Sequence, residues 1–203
     1  MAHGLKFDDL YDIDAKSDPY LDEYVKARDR IAEDGPWAVK DMEALAYRGS
    51  IMSILYVSDA MRDGTTYDQD LPSAERWYKV AVASGSTRGL TGLALTHLLM
   101  GKVHQAVTEL EAAVEKNYPP AMNNLAGVYF RGDLGRRDKP KALALYQRGA
   151  SLGHFPSKNN LIRLSLHGRF GFWRRWLAIR KIPSVIADHL KIQSTSPYTD
   201  RVR

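Results

Sequence analysis

The segment "AMNNLAGVYFRGDLGRRDKPKALALYQRGASLG" (residues 121–153) has two apolar faces separated by an Arg-rich stretch. Before that stretch, apolar positions recur every four residues, and after it they recur at offsets of four and seven from an alanine. These positions are Ala121, Leu125 and Tyr129, followed by Ala142, Tyr146 and Gly149. Such spacings place side chains on one face of an α-helix. The segment is therefore predicted to form two amphipathic helices that make a hairpin.

The Arg-rich stretch between these helices is predicted to be a turn. Gly132 ends the first helix, Gly135 permits the reversal, and Asp138 with Pro140 begins the second helix as an N-cap followed by a first-turn proline. A phosphate-binding loop would instead need several glycine amides around one anion and a Lys-Ser or Lys-Thr pair beyond them, and the sequence has neither. We expect the arginines of this turn to lie in solvent.

The second-helix pattern recurs twice more, in "LPSAERWYKVAVASG" (residues 71–85) and "KVHQAVTELEAAVEKN" (residues 102–117). Counted back from the last residue of each segment, alanine stands at minus eleven, a bulky apolar residue at minus seven and a small residue at minus four. These residues are Ala74, Ala106 and Ala142; Tyr78, Leu110 and Tyr146; and Ala81, Ala113 and Gly149. The end markers are Gly49, Gly85, Asn117 and Gly153, which are 36, 32 and 36 residues apart. Helical-hairpin repeats have a period of about 34 residues.

This pattern resembles the Sel-1-like repeat, a relative of the tetratricopeptide repeat. In residues 121–153 the family's positions are matched by Ala121, Leu125, Tyr129, Gly132, Gly135, Asp138, Ala142, Tyr146, Ala150 and Gly153. An earlier unit matches through Asp70, Ala74, Trp77, Tyr78, Ala81 and Gly85, with Met61 in place of the family's tyrosine. The unit between them lacks the interhelical loop and passes directly from Gly101 to Lys102. The resemblance covers roughly residues 44–168 and implies an all-α, right-handed solenoid of three to four helical hairpins, with helical caps at both ends.

The chain is accordingly divided into five parts. We expect an acidic, flexible leader (1–16), capping helices (17–49), Sel-1-like repeats (50–168), a basic-aromatic helical cap (169–192) and a flexible tail (193–203). In the capping segment, Ser17 or Asp18 is the expected N-cap. Charge is distributed unevenly, because residues 1–34 carry five basic and ten acidic side chains whereas residues 155–203 carry ten basic and two acidic ones.

Composition favours a globular protein held together by packing. The 203 residues are 44% hydrophobic and 26% charged, and they include no cysteine, so disulfides and cysteine-based zinc sites are excluded. The acidic N-terminal residues do not resemble a secretory signal, and no apolar run approaches the ~20 residues of a membrane span. We therefore expect a cytoplasmic protein.

Catalytic and metal-binding patterns are missing from the sequence. None of the six histidines forms a metal-ligand spacing, and the motifs HExxH, GxSxG and GxxxxGK[ST] do not occur. The acidic cluster Asp8, Asp9, Asp12 and Asp14 lacks the glycine and distal glutamate of an EF-hand loop, and we interpret it as solvated. No catalytic residue, metal site or cofactor is predicted. A hydrolase of the β-lactam-binding type, known among cysteine-rich relatives, is an alternative that the absence of cysteine disfavours.

The resemblance implies that the first helix of each hairpin lines a concave groove. Counting back from the turn glycines places these residues there: Asp59, Arg62, Asn123, Phe130, Arg131, Asn159, Arg163 and His167. The middle unit would contribute the neutral Thr96, Leu99 and Met100. Amides and arginines towards the end of such a groove suit an extended peptide or helix that carries acidic residues. The predicted function is therefore a non-catalytic adaptor, scaffold or regulator that binds another protein or peptide, with an immunity or chaperone-like partner of a secreted protein as a narrower version.

The segment "RFGFWRRWLAIRKIP" (residues 169–183) allows a second interpretation. As a helix it would carry Trp173 and Trp176 on one face and Arg174 and Arg175 on the other. It is predicted to cap the last repeat. Binding of this helix to an anionic membrane or an acidic partner is the alternative. Nucleic-acid binding is disfavoured because basic and aromatic residues are interleaved only here.

Overall fold

A computed structural model describes the backbone of residues 14–34 and 39–167, and the side chains of residues 14–31 and 39–164. These residues form helices joined by short turns, with no strand in the ranges described. The helices are α1 (Leu21–Asp34), α2 (Val39–Tyr47), α3 (Ile51–Asp63), α4 (Leu71–Ala83), α5 (Thr87–Leu99), α6 (Val103–Glu115), α7 (Pro119–Arg131), α8 (Lys139–Ser151) and α9 (Phe155–His167). The predicted hairpins are α3–α4, α5–α6 and α7–α8, followed by α9 as a further first helix.

Most helix boundaries lie where the sequence predicted them, but α1 begins at Leu21 and not directly after the expected N-cap Ser17 or Asp18. The side chains of Ser50, Asp70, Ser86 and Asp138 each accept a hydrogen bond from the backbone N–H three residues further on. These bonds satisfy amides at the start of a helix that have no partner within it. At helix ends, Asn117 has a φ of 58°, in the left-handed region that asparagine tolerates better than most residues. The proposed end markers therefore work as C-terminal caps.

Three rows of residues in the second helices, at minus eleven, minus seven and minus four, form the core between hairpins; we call them the contact rows. The nine residues predicted at minus eleven, minus seven and minus four are all buried. Each helix packs against the next one in the chain, and the first helices α3, α5, α7 and α9 also contact one another in succession. This second set of contacts places the first helices on the inner side of the curved stack. The result is the expected all-helical solenoid.

Two aspartates of the N-terminal segment are anchored within the solenoid. The Asp18 carboxylate accepts hydrogen bonds from the Ser50 hydroxyl (2.8 Å) and the Met52 amide (2.7 Å) at the start of α3. Asp14 is buried and accepts a 2.8 Å bond from Ser86 at the start of α5. Its interpretation as a solvated residue was therefore wrong, and burial raises the pKa of its carboxyl group. Asp8, Asp9 and Asp12 lie outside the described residues.

The close packing of α4 on α5 gives a testable consequence at Gly92. A methyl group at this position would lie 2.2 Å from a ring carbon of Tyr78, which is itself fully buried. We expect Gly92→Ala to lower the free energy of unfolding by about 1–3 kcal/mol, because overpacking forces the ring or the helix to move. Urea denaturation measures this change.

Gly127→Ala is the matched control, since its nearest neighbour is the solvent-exposed end of the Arg131 side chain and not a buried ring. It should stabilise the protein by up to about 1 kcal/mol through helix propensity. Equal effects of the two substitutions would show that α4 and α5 do not pack as described.

His154 makes stability depend on pH. It is buried just before α9, with its Nδ1 atom 2.9 Å from the Ser157 hydroxyl, and burial lowers the pKa of its imidazole to about 4. The folded protein therefore disfavours the charged imidazole. As the pH falls, this histidine becomes protonated in the unfolded chain at a higher pH than in the folded protein. Its contribution to stability is complete above the unfolded pKa of about 6.5 and is lost as the pH falls towards 4.

We expect the free energy of unfolding to fall by about 2 kcal/mol between pH 6.5 and 5 because of this one group. His154→Gln should remove that part of the slope. Urea titrations of both proteins across this range provide the measurement, and identical slopes would contradict the burial of a neutral histidine.

Candidate functional site

A concave pocket of about 460 Å³ opens on the inner side of the solenoid, between α5, α7 and α9. The second helix α8 contributes Tyr146 to its wall. The lining residues are Leu95, Leu98, Asn123, Asn124, Gly127, Phe130, Arg131, Tyr146, Asn160, Arg163 and Leu164. Leucines and Phe130 supply apolar surface, while amides, guanidinium groups and the Tyr146 hydroxyl supply polar groups. Small pockets that combine these two kinds of surface commonly bind ligands or partner side chains.

The structure brings four of the predicted groove residues together in this pocket. Asn123, Phe130, Arg131 and Arg163 all line it. Asn160 lies there in place of the predicted Asn159, which is exposed, and the Asn160 amide donates a 2.9 Å hydrogen bond to Asn123 Oδ1. The side chain of His167 lies outside the described residues, as do Trp173, Arg174, Arg175 and Trp176.

The polar wall of the pocket includes two arginines and one tyrosine hydroxyl. Burial raises the pKa of the Tyr146 hydroxyl, and the positive charges of Arg131 and Arg163 oppose that rise. Both arginines line the same pocket as this hydroxyl group. Arg131 also holds Asp133 through Nε (3.0 Å) and Nη2 (2.6 Å).

Asp59 and Arg62, predicted for the same groove, lie in the first unit and contact each other. Arg62 Nη1 is 3.0 Å from the Asp59 carboxylate, which also pairs with Arg88 at 2.7 Å and accepts a hydrogen bond from the Tyr78 hydroxyl. Burial, followed by the negative charge of Asp59, raises the pKa of Tyr78. The charges of this part of the groove are thus matched within the chain.

The middle unit corrects the predicted register. Thr96 is fully buried, with its hydroxyl bonded to the backbone of its own helix, so its placement in the groove was wrong. In the flanking units the left-handed glycine directly follows the last helical residue, whereas here Met100 intervenes before Gly101. Each groove position therefore moves by one residue, to Leu95 and Leu98.

The turn arginines do not line this pocket. Arg136 and Arg137 are exposed, and Arg137 Nε donates a 3.3 Å hydrogen bond to the backbone carbonyl of Arg131. Their expected position in a solvated turn is confirmed.

A buried charge cluster was missed by the sequence analysis. His97 is almost fully buried, with Nδ1 2.9 Å from Glu109 and Nε2 3.6 Å from Glu75. Hydrogen bonds from Lys79 and then Lys102 lower the pKa of Glu75 to about 2, while burial raises the pKa of Glu109. The cluster joins α4, α5 and α6, away from the pocket. Across the described side chains, no group of histidines and acids has the arrangement of a metal site.

The signal for this cluster was present in the repeat alignment. In the corrected register His97 aligns with Met61 and Tyr129, which both pack into the apolar core. Glu109 stands where Leu145 and Trp77 occur. Two polar residues at apolar register positions in one unit indicate a buried pair.

Comparison with known proteins agrees with the architecture. The Sel1 repeat family model matches residues 53–86 and 119–154. Comparison with curated protein sequences finds no match for the chain. Within the described residues, no helix is long and apolar enough to cross a membrane.

Three solved bacterial structures are similar to this chain. A Sel1 repeat protein from Oxalobacter formigenes gives a TM-score of 0.66 at 18% identity, over 90% of this chain and 78% of that one. A Sel1 repeat protein from Klebsiella pneumoniae gives a TM-score of 0.57 at 19% identity, over 94% of this chain and 96% of that one. A protective antigen of uropathogenic Escherichia coli with an SLR fold gives a TM-score of 0.55 at 19% identity, over 81% of this chain and 35% of that one. At these identities the likeness concerns the fold. The chain therefore carries two Sel1 repeats within one helical solenoid.

Proposed function

We propose that this chain is a non-catalytic adaptor or scaffold that binds another protein in the concave pocket between α5, α7 and α9. The observation that carries this proposal is the composition of the pocket. Its apolar surface is flanked by three asparagines and two arginines, all on the inner side of a repeat solenoid. Such a surface can bury the side chains of a partner and hold its polar groups by charge-assisted hydrogen bonds.

A narrower role, as immunity or chaperone-like partner of a secreted protein, depends on the identity of the bound protein. The proposal includes a cytoplasmic location, which cell fractionation would test. Membrane attachment through residues 169–192 is the alternative and stays a sequence-based prediction, since that segment lies outside the described residues.

Site-specific photo-cross-linking tests the proposal. A photoreactive amino acid at position 130 would stand at the edge of the pocket, where Phe130 is 36% exposed. We expect it to capture a protein in the cells that produce this chain. The matched control position is Val80, an exposed residue of α4. Capture of the same proteins from both positions, or from position 80 alone, would contradict a partner site in the pocket.

A further inference from the structure

Two hairpins carry a tyrosine at the same position of their second helix. Tyr78 and Tyr146 each stand seven residues before the terminal glycine, and both are buried. The middle unit has Leu110 at this position. The middle unit therefore lacks the tyrosine hydroxyl that the other two units direct towards their first helices.

In the first unit this hydroxyl meets a carboxylate from its own chain. Asp59 lies five residues before the left-handed Gly64 and accepts a hydrogen bond from Tyr78. Arg62 (3.0 Å) and Arg88 (2.7 Å) complete the surroundings of its carboxylate. One tyrosine and two arginines therefore hold one carboxylate.

The later unit has a tyrosine and an arginine in matching places around a glycine. Gly127 lies five residues before the left-handed Gly132, the position that Asp59 takes in the first unit. A Cβ atom on Gly127 would lie 3.9 Å from the Tyr146 hydroxyl oxygen and 3.0 Å from Arg131 Nη1. The space beside it is the 460 Å³ pocket.

The arginines of the two units are oriented alike. Nε and Nη2 of Arg62 hold Asp63 at 2.7 Å, which leaves Nη1 facing Asp59 and the Tyr78 hydroxyl. Nε and Nη2 of Arg131 hold Asp133, and its Nη1 faces position 127. In both cases a neighbouring aspartate fixes the guanidinium plane and directs one donor into the groove.

We propose that the pocket binds the side-chain carboxylate of an aspartate or glutamate from a protein partner, in the place that Asp59 fills in the first unit. This inference rests on the proposed function and names the chemistry of the partner. Tyr146 and Arg131 supply the donors that match Tyr78 and Arg62, and Arg163 also lines the pocket. Leu95, Leu98 and Phe130 beside the carboxylate position accommodate the apolar neighbours of the acidic residue in the partner chain.

Peptide binding tests this directly. The ligands are arrayed twelve-residue peptides that carry a single Asp or Glu among neutral residues, each paired with its Asn or Gln counterpart. We expect the full chain to bind the preferred acidic peptides at least tenfold more tightly than their amide counterparts. Gly127→Asp should abolish that preference, because its own carboxylate reaches the Tyr146 hydroxyl. Gly127→Ala, which adds a methyl group but no carboxylate, should retain it.

Tyr146→Phe provides a second variant that keeps the ring and removes the hydroxyl. It should weaken the acidic peptides several-fold and leave the amide peptides unchanged. Circular dichroism checks that all three variants keep their helical content. No acidic preference in the unmodified protein, or an acidic preference that survives both Gly127→Asp and Tyr146→Phe, would overturn the inference.

Further outcomes separate this inference from the proposed function. If position 130 captures a protein while the arrays show no acidic preference, the partner site is supported and the carboxylate site is rejected. If position 130 captures no protein and the arrays show no acidic preference, both the partner site and the carboxylate site are rejected. Displacement of the acidic peptides by millimolar acetate or inorganic phosphate, at concentrations where sodium chloride has no effect, would instead show a site for small anions and overturn the choice of a protein side chain.

Discussion

Tyr78→Ala should lower the free energy of unfolding by about 3–5 kcal/mol, the usual cost of removing a large aromatic side chain from a core. The ring is fully buried between α4 and α5, and it fills the space left by Gly92. Its hydroxyl is bonded to Asp59 and accepts a 2.7 Å hydrogen bond from Arg62. The substitution therefore leaves a cavity and removes a partner from two charged groups. Urea denaturation with circular dichroism measures the effect.

Tyr78→Phe is the control that keeps the ring and removes the hydroxyl. It should cost only about 1.5–3 kcal/mol, the range for hydrogen bonds to charged groups. The difference between the two substitutions reports the packing of the ring. If both variants lost the same stability, the ring would not be the contact between hairpins that the fold requires.

Much of the fold could be predicted because it follows from local sequence. The helices, their caps and the three contact rows depend on residues within one hairpin, and the repeat supplied three aligned copies of the pattern. Asp138 shows this well, since its side chain caps its own helix and Pro140 fits the first turn of that helix.

The positions that could not be predicted depend on contacts between distant residues. Asp14 lies 72 residues from its partner Ser86, and Asp18 lies 32 from Ser50. Nothing in the local composition of an acidic segment distinguishes these two aspartates from solvated ones. The burial of His97 between Glu75 and Glu109 likewise requires three helices to be in place.

Part of the pocket lining was predicted correctly, and in the middle unit the predicted residues lie one position away from the residues that line it. Asn123, Phe130 and Arg131 follow correctly from Gly132, because that glycine directly ends its helix. In the middle unit the extra residue before Gly101 moves the groove from Thr96 to Leu95. A helix turns 100° per residue, so one residue of error exchanges a groove position for a buried one.

Arg131→Glu combined with Arg163→Glu should weaken partner binding by about 2–5 kcal/mol, the typical cost of breaking charged hydrogen bonds within an interface. Both side chains line the pocket, and both positive charges act on the Tyr146 hydroxyl. Reversing them would place negative charge where the partner's acidic groups are expected. The matched control is Arg136→Glu with Arg137→Glu, which makes the same change in charge on the exposed turn.

The most direct test of a partner site in the pocket is the dissociation constant of the partner captured at position 130, measured by calorimetry against the unmodified protein and both double variants. The account predicts a loss of at least about thirtyfold for the pocket variant, which corresponds to about 2 kcal/mol, and little change for the turn variant. Unchanged affinity in the pocket variant together with impaired binding in the turn variant would contradict it and would assign the contact to the Arg-rich turn.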